Sequence, residues 1–244
     1  MRRTVKRLEG STVLSINGED LGEVKDFYFD DRSWIIRYLV VDTGPWLSQK
    51  LILISPHAIV SFGLNGFNIV TNLTKDQIEN CPSADSEKPI SKEFEEKYAN
   101  YFGWPVYVTG TGIPVWYDST DKMSMPSPDI ESSAIAEEDA PRHNHLRSFN
   151  EVRSYHISSA DDEFGHIEDM VLEDEGFRID ALIVDTVNFW PSNSVLITPE
   201  LIKNISWSSQ VFETSLSKDE VASAPIYRPE DFIDGPPQWR EKTV

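Results

Sequence analysis

The sequence predicts an all-β fold, mainly strand with minor helix, built twice by an internal duplication. Three observations carry this. Slid against itself by 143 residues, the chain aligns from 8–82 onto 151–225 without a gap, with 19 identities in 75 positions. Both halves consist of short runs rich in β-branched and aromatic residues. Helix signals are few and short.

The repeat is carried by its turns and strand ends. Gly22 falls on Gly165, Asp26 on Asp169, and Leu39-Val40-Val41-Asp42-Thr43 on Leu182-Ile183-Val184-Asp185-Thr186. Leu53-Ile54-Ser55-Pro56 meets Leu196-Ile197-Thr198-Pro199, and Pro82 meets Pro225. In chain order, strands are expected at Gly22–Asp30, Trp34–Val41, Lys50–Ile54 and Phe67–Thr71, with turns at Asn17-Gly18 and Asp30–Ser33. Alternation places Trp34, Ile36, Tyr38 and Val40 on one face, matched by Phe177, Ile179, Ala181 and Ile183. On the opposite face Ile35 and Arg37 become Arg178 and Asp180. That face is therefore expected to be buried only at its C-terminal end, by Leu39 and Val41 and by Leu182 and Val184. Ser55-Pro56 and Thr198-Pro199 read as an N-cap followed by proline. Thr74–Gln77 and Ser217–Glu220 fit the capping box.

Four segments follow: a first copy at 1–82, a connecting segment at 83–147, a second copy at 148–225 and a tail at 226–244. Within the connection, Phe94, Tyr98 and Tyr101 behind Ser91 predict a short amphipathic helix up to Phe102. Gly103–Tyr117 is aromatic, and Asp118–Pro141 has linker composition.

Composition excludes several classes. With 22 basic and 41 acidic residues the net charge is −19, which opposes binding to a phosphate backbone. A single cysteine, Cys81, allows neither an intrachain disulfide nor a cysteine zinc cage. The basic start Met1–Arg7 runs into Leu8-Glu9-Gly10-Ser11 where a secretory signal needs a long apolar run. No stretch approaches a membrane span. A soluble, cytoplasmic protein is expected.

The pattern Gly22-x-Val24-x-Asp26, then Arg37–Thr43, then Leu53-Ile54-Ser55-Pro56, resembles the PRC-barrel domain, the module named for the cytoplasmic domain of the photosynthetic reaction centre H subunit. The resemblance covers both copies, about 5–82 and 148–225. With Tyr101-Phe102-Gly103-Trp104-Pro105 after the first copy, the arrangement is similar to bacterial two-copy PRC-barrel proteins. It implies a small, partly open β-barrel per copy and no shared catalytic residues.

Candidate sites are few. Asp26 and Asp169 lie on strands between apolar neighbours, so each is a candidate perturbed acid or proton relay. The simpler reading is an acceptor for backbone N–H groups at a barrel bulge. Asp42-Thr43 and Asp185-Thr186 read as turn caps. His143 and His145 have metal-like spacing but no third ligand, so no metal and no cofactor are expected. Gly110–Pro114 fails as a phosphate loop. Charge is unevenly divided: residues 1–82 carry a net −1 and residues 151–225 a net −11. Asp161, Asp162 and Glu163, with Glu173, Asp174 and Glu175, form a candidate surface for a basic protein partner, or serve solubility alone. The leading expectation is a non-catalytic binding or assembly module. An enzyme or proton-relay protein using the barrel carboxylates is the alternative. A barrel of this size buries a modest share of its surface. The faces at Leu39, Val41, Leu182 and Val184 are thus expected to be covered, by each other or across a homodimer.

Overall fold

The structure, a computed structural model, describes residues 1–63, 67–84, 90–108, 115–117, 145–159, 163–186 and 194–232. Gly110–Pro114, the linker 118–141, His143 and Phe189-Trp190 lie outside the described residues.

The chain opens with β1 (Arg2–Thr4) and one helical turn, α1 (Val5–Leu8), then β2 (Thr12–Leu14), β3 (Asp20–Asp30), β4 (Ile36–Asp42) and β5 (Leu51–Ile54). After a 3-10 turn at Pro56–Ala58 come β6 (Ile59–Phe62), β7 (Asn68–Thr71) and α2 (Lys75–Asn80). The connection holds α3 (Lys92–Phe102) and the paired strands β8 (Val106–Val108) and β9 (Val115–Tyr117). The pattern then repeats as β10 (Leu146–Ser148), α4 (Phe149–Val152), β11 (His156–Ser158), β12 (Glu163–Glu173), β13 (Arg178–Asp185), β14 (Ser194–Ile197), β15 (Ile202–Ser206), β16 (Val211–Thr214) and α5 (Lys218–Ala222). The molecule is mainly β, as the sequence predicts, and both sheets are partly open rather than closed.

Each copy forms the same sheet, in the order β5-β4-β3-β2-β7-β6 and β14-β13-β12-β11-β16-β15. Thr74 and Ser217 close the expected capping boxes, and the Ser91 hydroxyl accepts from Phe94 N–H. Gly22 and Gly165 sit where β3 and β12 press against the next strand. A Cβ at either would come within 2.2 Å of the carbonyl oxygen of Asp42 or Asp185, and both φ values are positive. Only glycine fits such an approach.

The duplication is not gap-free. Thr12 and His156 occupy the same place in the two sheets, facing Asn68 and Val211, so the first strands and the helical turns before them are 144 residues apart. From Gly22 and Gly165 onward the spacing is 143. The β2–β3 turn of the first copy is one residue longer.

The two copies exchange their leading strands. β1 pairs antiparallel with β12 of the second copy, with Thr4 opposite Val171, and β10 pairs with β3 of the first, with Ser148 opposite Tyr28. The hairpin tips also join: Ile36 N–H donates to the Phe177 carbonyl and Ile179 N–H to the Trp34 carbonyl, each at 2.7 Å. Ile35 and Arg178, equivalent residues, face each other at the centre of this junction. It therefore marks a pseudo-two-fold axis. Trp34 and Phe177, expected as strand starts, are instead tip residues at φ 58° and 50°. Trp34 packs on Phe212 of the second copy and Phe177 on Phe62 of the first. Such backbone angles are costly for bulky residues, by roughly 1–3 kcal/mol each, and persist where surroundings hold them.

One hydrophobic core runs through both copies and contains Leu39, Val41, Leu182 and Val184 together. The expectation that the second strand face is buried only at its end is corrected: Arg37 and Asp180 are 3% and 1% exposed. Each is buried because the other sign of charge is brought to it. Glu95 on α3 pairs with Arg37, and Asp30 stands 3.8 Å away. Arg2 on the exchanged β1 pairs with Asp180. The α3 helix, with Phe94 and Tyr98 inward, joins the first copy's core, and Tyr98 Oη accepts from Leu53 N–H at 3.1 Å. In the second copy the equivalent Leu196 N–H donates instead to the carbonyl of Pro225, the last residue of that copy.

Candidate functional site

The exchanged strands bring Asp26 and Asp169 to the seam between the copies. Both sit at register shifts of their strands, where a bulge turns an extra N–H toward the carboxylate. Asp169 Oδ1 accepts from its neighbour Met170 N–H at 2.7 Å and from Lys6 N–H of the other copy at 2.9 Å. Asp26 Oδ1 repeats this with Phe27 N–H at 2.8 Å and Asn150 N–H at 3.1 Å, while its Oδ2 accepts from Ser148 Oγ at 2.6 Å. Lys6 and Asn150 are each the second residue of a helical turn, so their N–H groups lack a partner within the helix. Each barrel's aspartate thus caps the other barrel's helix.

Burial raises both carboxyls above their ordinary value. Asp169 is pushed up to about 6, desolvation outweighing the Lys6, Met170 and Thr4 hydrogen bonds that pull the other way. For Asp26 desolvation leads again, opposed by Ser148, Asn150 and Phe27. A cleft of about 350 Å³ opens beside Asp169, walled by Thr4, Lys6 and Arg7 of the first copy, Glu168 and Ile183 of the second, and Tyr227 with Pro229 of the tail.

The acidic candidates separate. Asp174 is used inside the chain, accepting from Arg3 Nε at 3.1 Å, and burial raises its carboxyl. Glu173 lies opposite Arg2 in the β1–β12 ladder. Glu163 and Glu175 are exposed, and Asp161 and Asp162 lie outside the described residues. The pairing is mirrored in the first copy, where Asp31, equivalent to Asp174, holds Arg147 Nε at 3.0 Å and His145 Nδ1 at 2.9 Å. His145 is thereby turned onto a carboxylate. Arg147 also stacks 3.8 Å above the Trp207 ring, as Arg3 stacks 4.8 Å above Phe62.

Sequence reasoning missed the partners of these acids. The signal exists at the 144-residue spacing: Arg3-Thr4-Val5 ahead of Leu8 matches Arg147-Ser148-Phe149 ahead of Val152. An alignment held at 143 throughout puts these residues out of step.

Among known families, the PRC-barrel domain matches residues 2–75, which covers the first copy through its last strand. An uncharacterized protein of Deinococcus radiodurans is 30% identical over 86 residues, 34% of this chain. The matched part spans 30% of that protein's length. The second copy repeats the strand order and pairing of the matched region.

Proposed function

We propose that the chain is a non-catalytic binding and assembly module made of two PRC-type barrels, the second as well as the first, in the manner of the reaction centre H subunit's cytoplasmic domain. It acts in the cytoplasm and docks a basic protein partner through the acidic surface of the second copy. The observation that carries this reading is the PRC-barrel match in a chain whose seam carboxylates, the half-buried Asp26 and the buried Asp169, are engaged by backbone N–H groups. Groups held in that way act as structural acceptors. The exposed acids Glu163 and Glu175 supply attraction of the kind that steers and orients a basic surface.

The test is affinity capture on the full-length chain and on a Glu163→Lys, Glu175→Lys variant, at low and high salt. One identified basic partner, retained at low salt and lost both at high salt and from the variant, supports the reading. Equal capture by both chains contradicts it.

A second reading rests on Asp169, a carboxyl pushed up to about 6 that lines a cleft with Tyr227. There it would serve as a proton relay, the role its titration range suits. Asp169→Asn keeps an acceptor for Lys6 and Met170 but cannot carry a proton: a slower rate of proton release after a pH jump across 6, alongside unchanged partner capture, supports the relay, and an unchanged rate contradicts it.

A further inference from the structure

One cluster of ligating side chains lies outside the seam. His156 on β11 and His166 on β12 stand directly opposite each other. Ile167 N–H donates to the Tyr155 carbonyl, which makes the two histidines a non-hydrogen-bonded pair. In such pairs the side chains come closest, with Cβ atoms roughly 4.5–5.5 Å apart. Glu163 Oε1 lies 2.6 Å from His156 Nδ1, within hydrogen-bond distance, and Asp185 Oδ2 lies 3.9 Å from His166 Nε2, within reach of its charge but not of a hydrogen bond. His156 Nε2 and His166 Nδ1 are the nitrogens turned away from those acids. A carboxylate behind a ligating imidazole fixes its tautomer and strengthens it as a donor.

We propose that His156 and His166 form a surface site for a divalent transition-metal ion of the zinc and copper kind, with Glu163 as the carboxylate that orients His156 and Asp185 adding negative charge beside His166. Two imidazoles select such metals over magnesium or calcium, which prefer oxygen donors. Two protein ligands leave the remaining positions to water, so such a site is an open one; among the described residues no group of three ligands that could hold a metal ion is gathered. The net −11 of residues 151–225 favours a cation there. The duplication supplies an internal comparison. The equivalent positions of the first copy hold Thr12 and Glu23, and Glu23 is bound by Lys25 at 2.6 Å. The pair is therefore a feature of the second copy alone.

The experiment is calorimetric titration of the full-length chain with Zn²⁺, and electron paramagnetic resonance of the Cu²⁺-loaded chain. The site predicts one ion per chain and a copper spectrum showing two imidazole nitrogens. Affinity falls at least about tenfold in His156→Gln and in His166→Gln, and is kept in the His143→Gln, His145→Gln double variant. The His156 and His166 side chains are partly exposed, and the apo variants' melting temperatures check that folding is intact. Binding that survives loss of His156 and His166, or follows His143 and His145 instead, overturns the proposal, as does the absence of Zn²⁺ binding.

Discussion

Asp169 illustrates how one side chain couples the copies. Folded, it holds its proton up to about pH 6; unfolded, it releases it near its ordinary value of 3.8. The native chain therefore binds more protons across that window. The stabilisation from this group is fully present below about pH 4 and is lost as pH rises through about 6. Its size is at most about 3 kcal/mol, from 1.36 kcal/mol per unit. Urea unfolding should show the full-length chain gaining stability from pH 7 to 5, with part of that gain absent in Asp169→Asn, which keeps an acceptor for Lys6 and Met170. Asp169→Ala should cost roughly 2–4 kcal/mol at either pH, because it strands the buried Met170 N–H and the part-buried Lys6 N–H. Gly165→Ala, whose Cβ would meet the Asp185 carbonyl at 2.2 Å, should cost more than about 2 kcal/mol in the same measurement. Both aspartates and both glycines were legible in the sequence as repeated positions. The donors that Asp169 and Asp26 receive from the other copy were not, because they depend on a chain crossing that no local pattern encodes.

Among the elements, the short leading strands matter out of proportion to their length. β1 and α1 give the second copy three backbone pairings, the Arg2–Asp180 and Arg3–Asp174 ion pairs and the Lys6 N–H bond to Asp169. Val5 and Leu8 enter the shared core completely. Removing residues 1–8 should therefore raise hydrogen exchange throughout β12 and β13, more than 150 residues away in sequence. Unchanged protection there would show that the exchanged strand is dispensable. The α3 helix holds the first copy through a different buried charge. Glu95→Ala leaves Arg37 without its nearest carboxylate and should cost about 3–5 kcal/mol, much of it recovered when Arg37→Leu is added. The helix itself was readable from Ser91, Phe94 and Tyr98. Its ion pair with a strand residue was not, since Arg37 sits in an alternating pattern that reads as a solvent-facing position until something covers it.

Across the whole molecule, the charge imbalance acquires a partly internal explanation. The basic residues at the start of the chain lie on the acidic second copy: Arg2 on Asp180, Arg3 on Asp174 and Lys6 near Glu168 at 3.5 Å. Fold class and duplication follow from strand composition and repeat spacing, as does the expectation that Leu39, Val41, Leu182 and Val184 are covered; that the two copies cover one another, rather than a second chain doing so, does not. The pseudo-two-fold exchange is a property of the pair, which no local pattern encodes. Its consequence is that neither barrel has a complete sheet without the other. Differential scanning calorimetry of the full-length chain tests this most directly. Two copies built into one another predict a single endotherm with a calorimetric to van't Hoff enthalpy ratio near one. Two endotherms, or a ratio near two, would contradict the account.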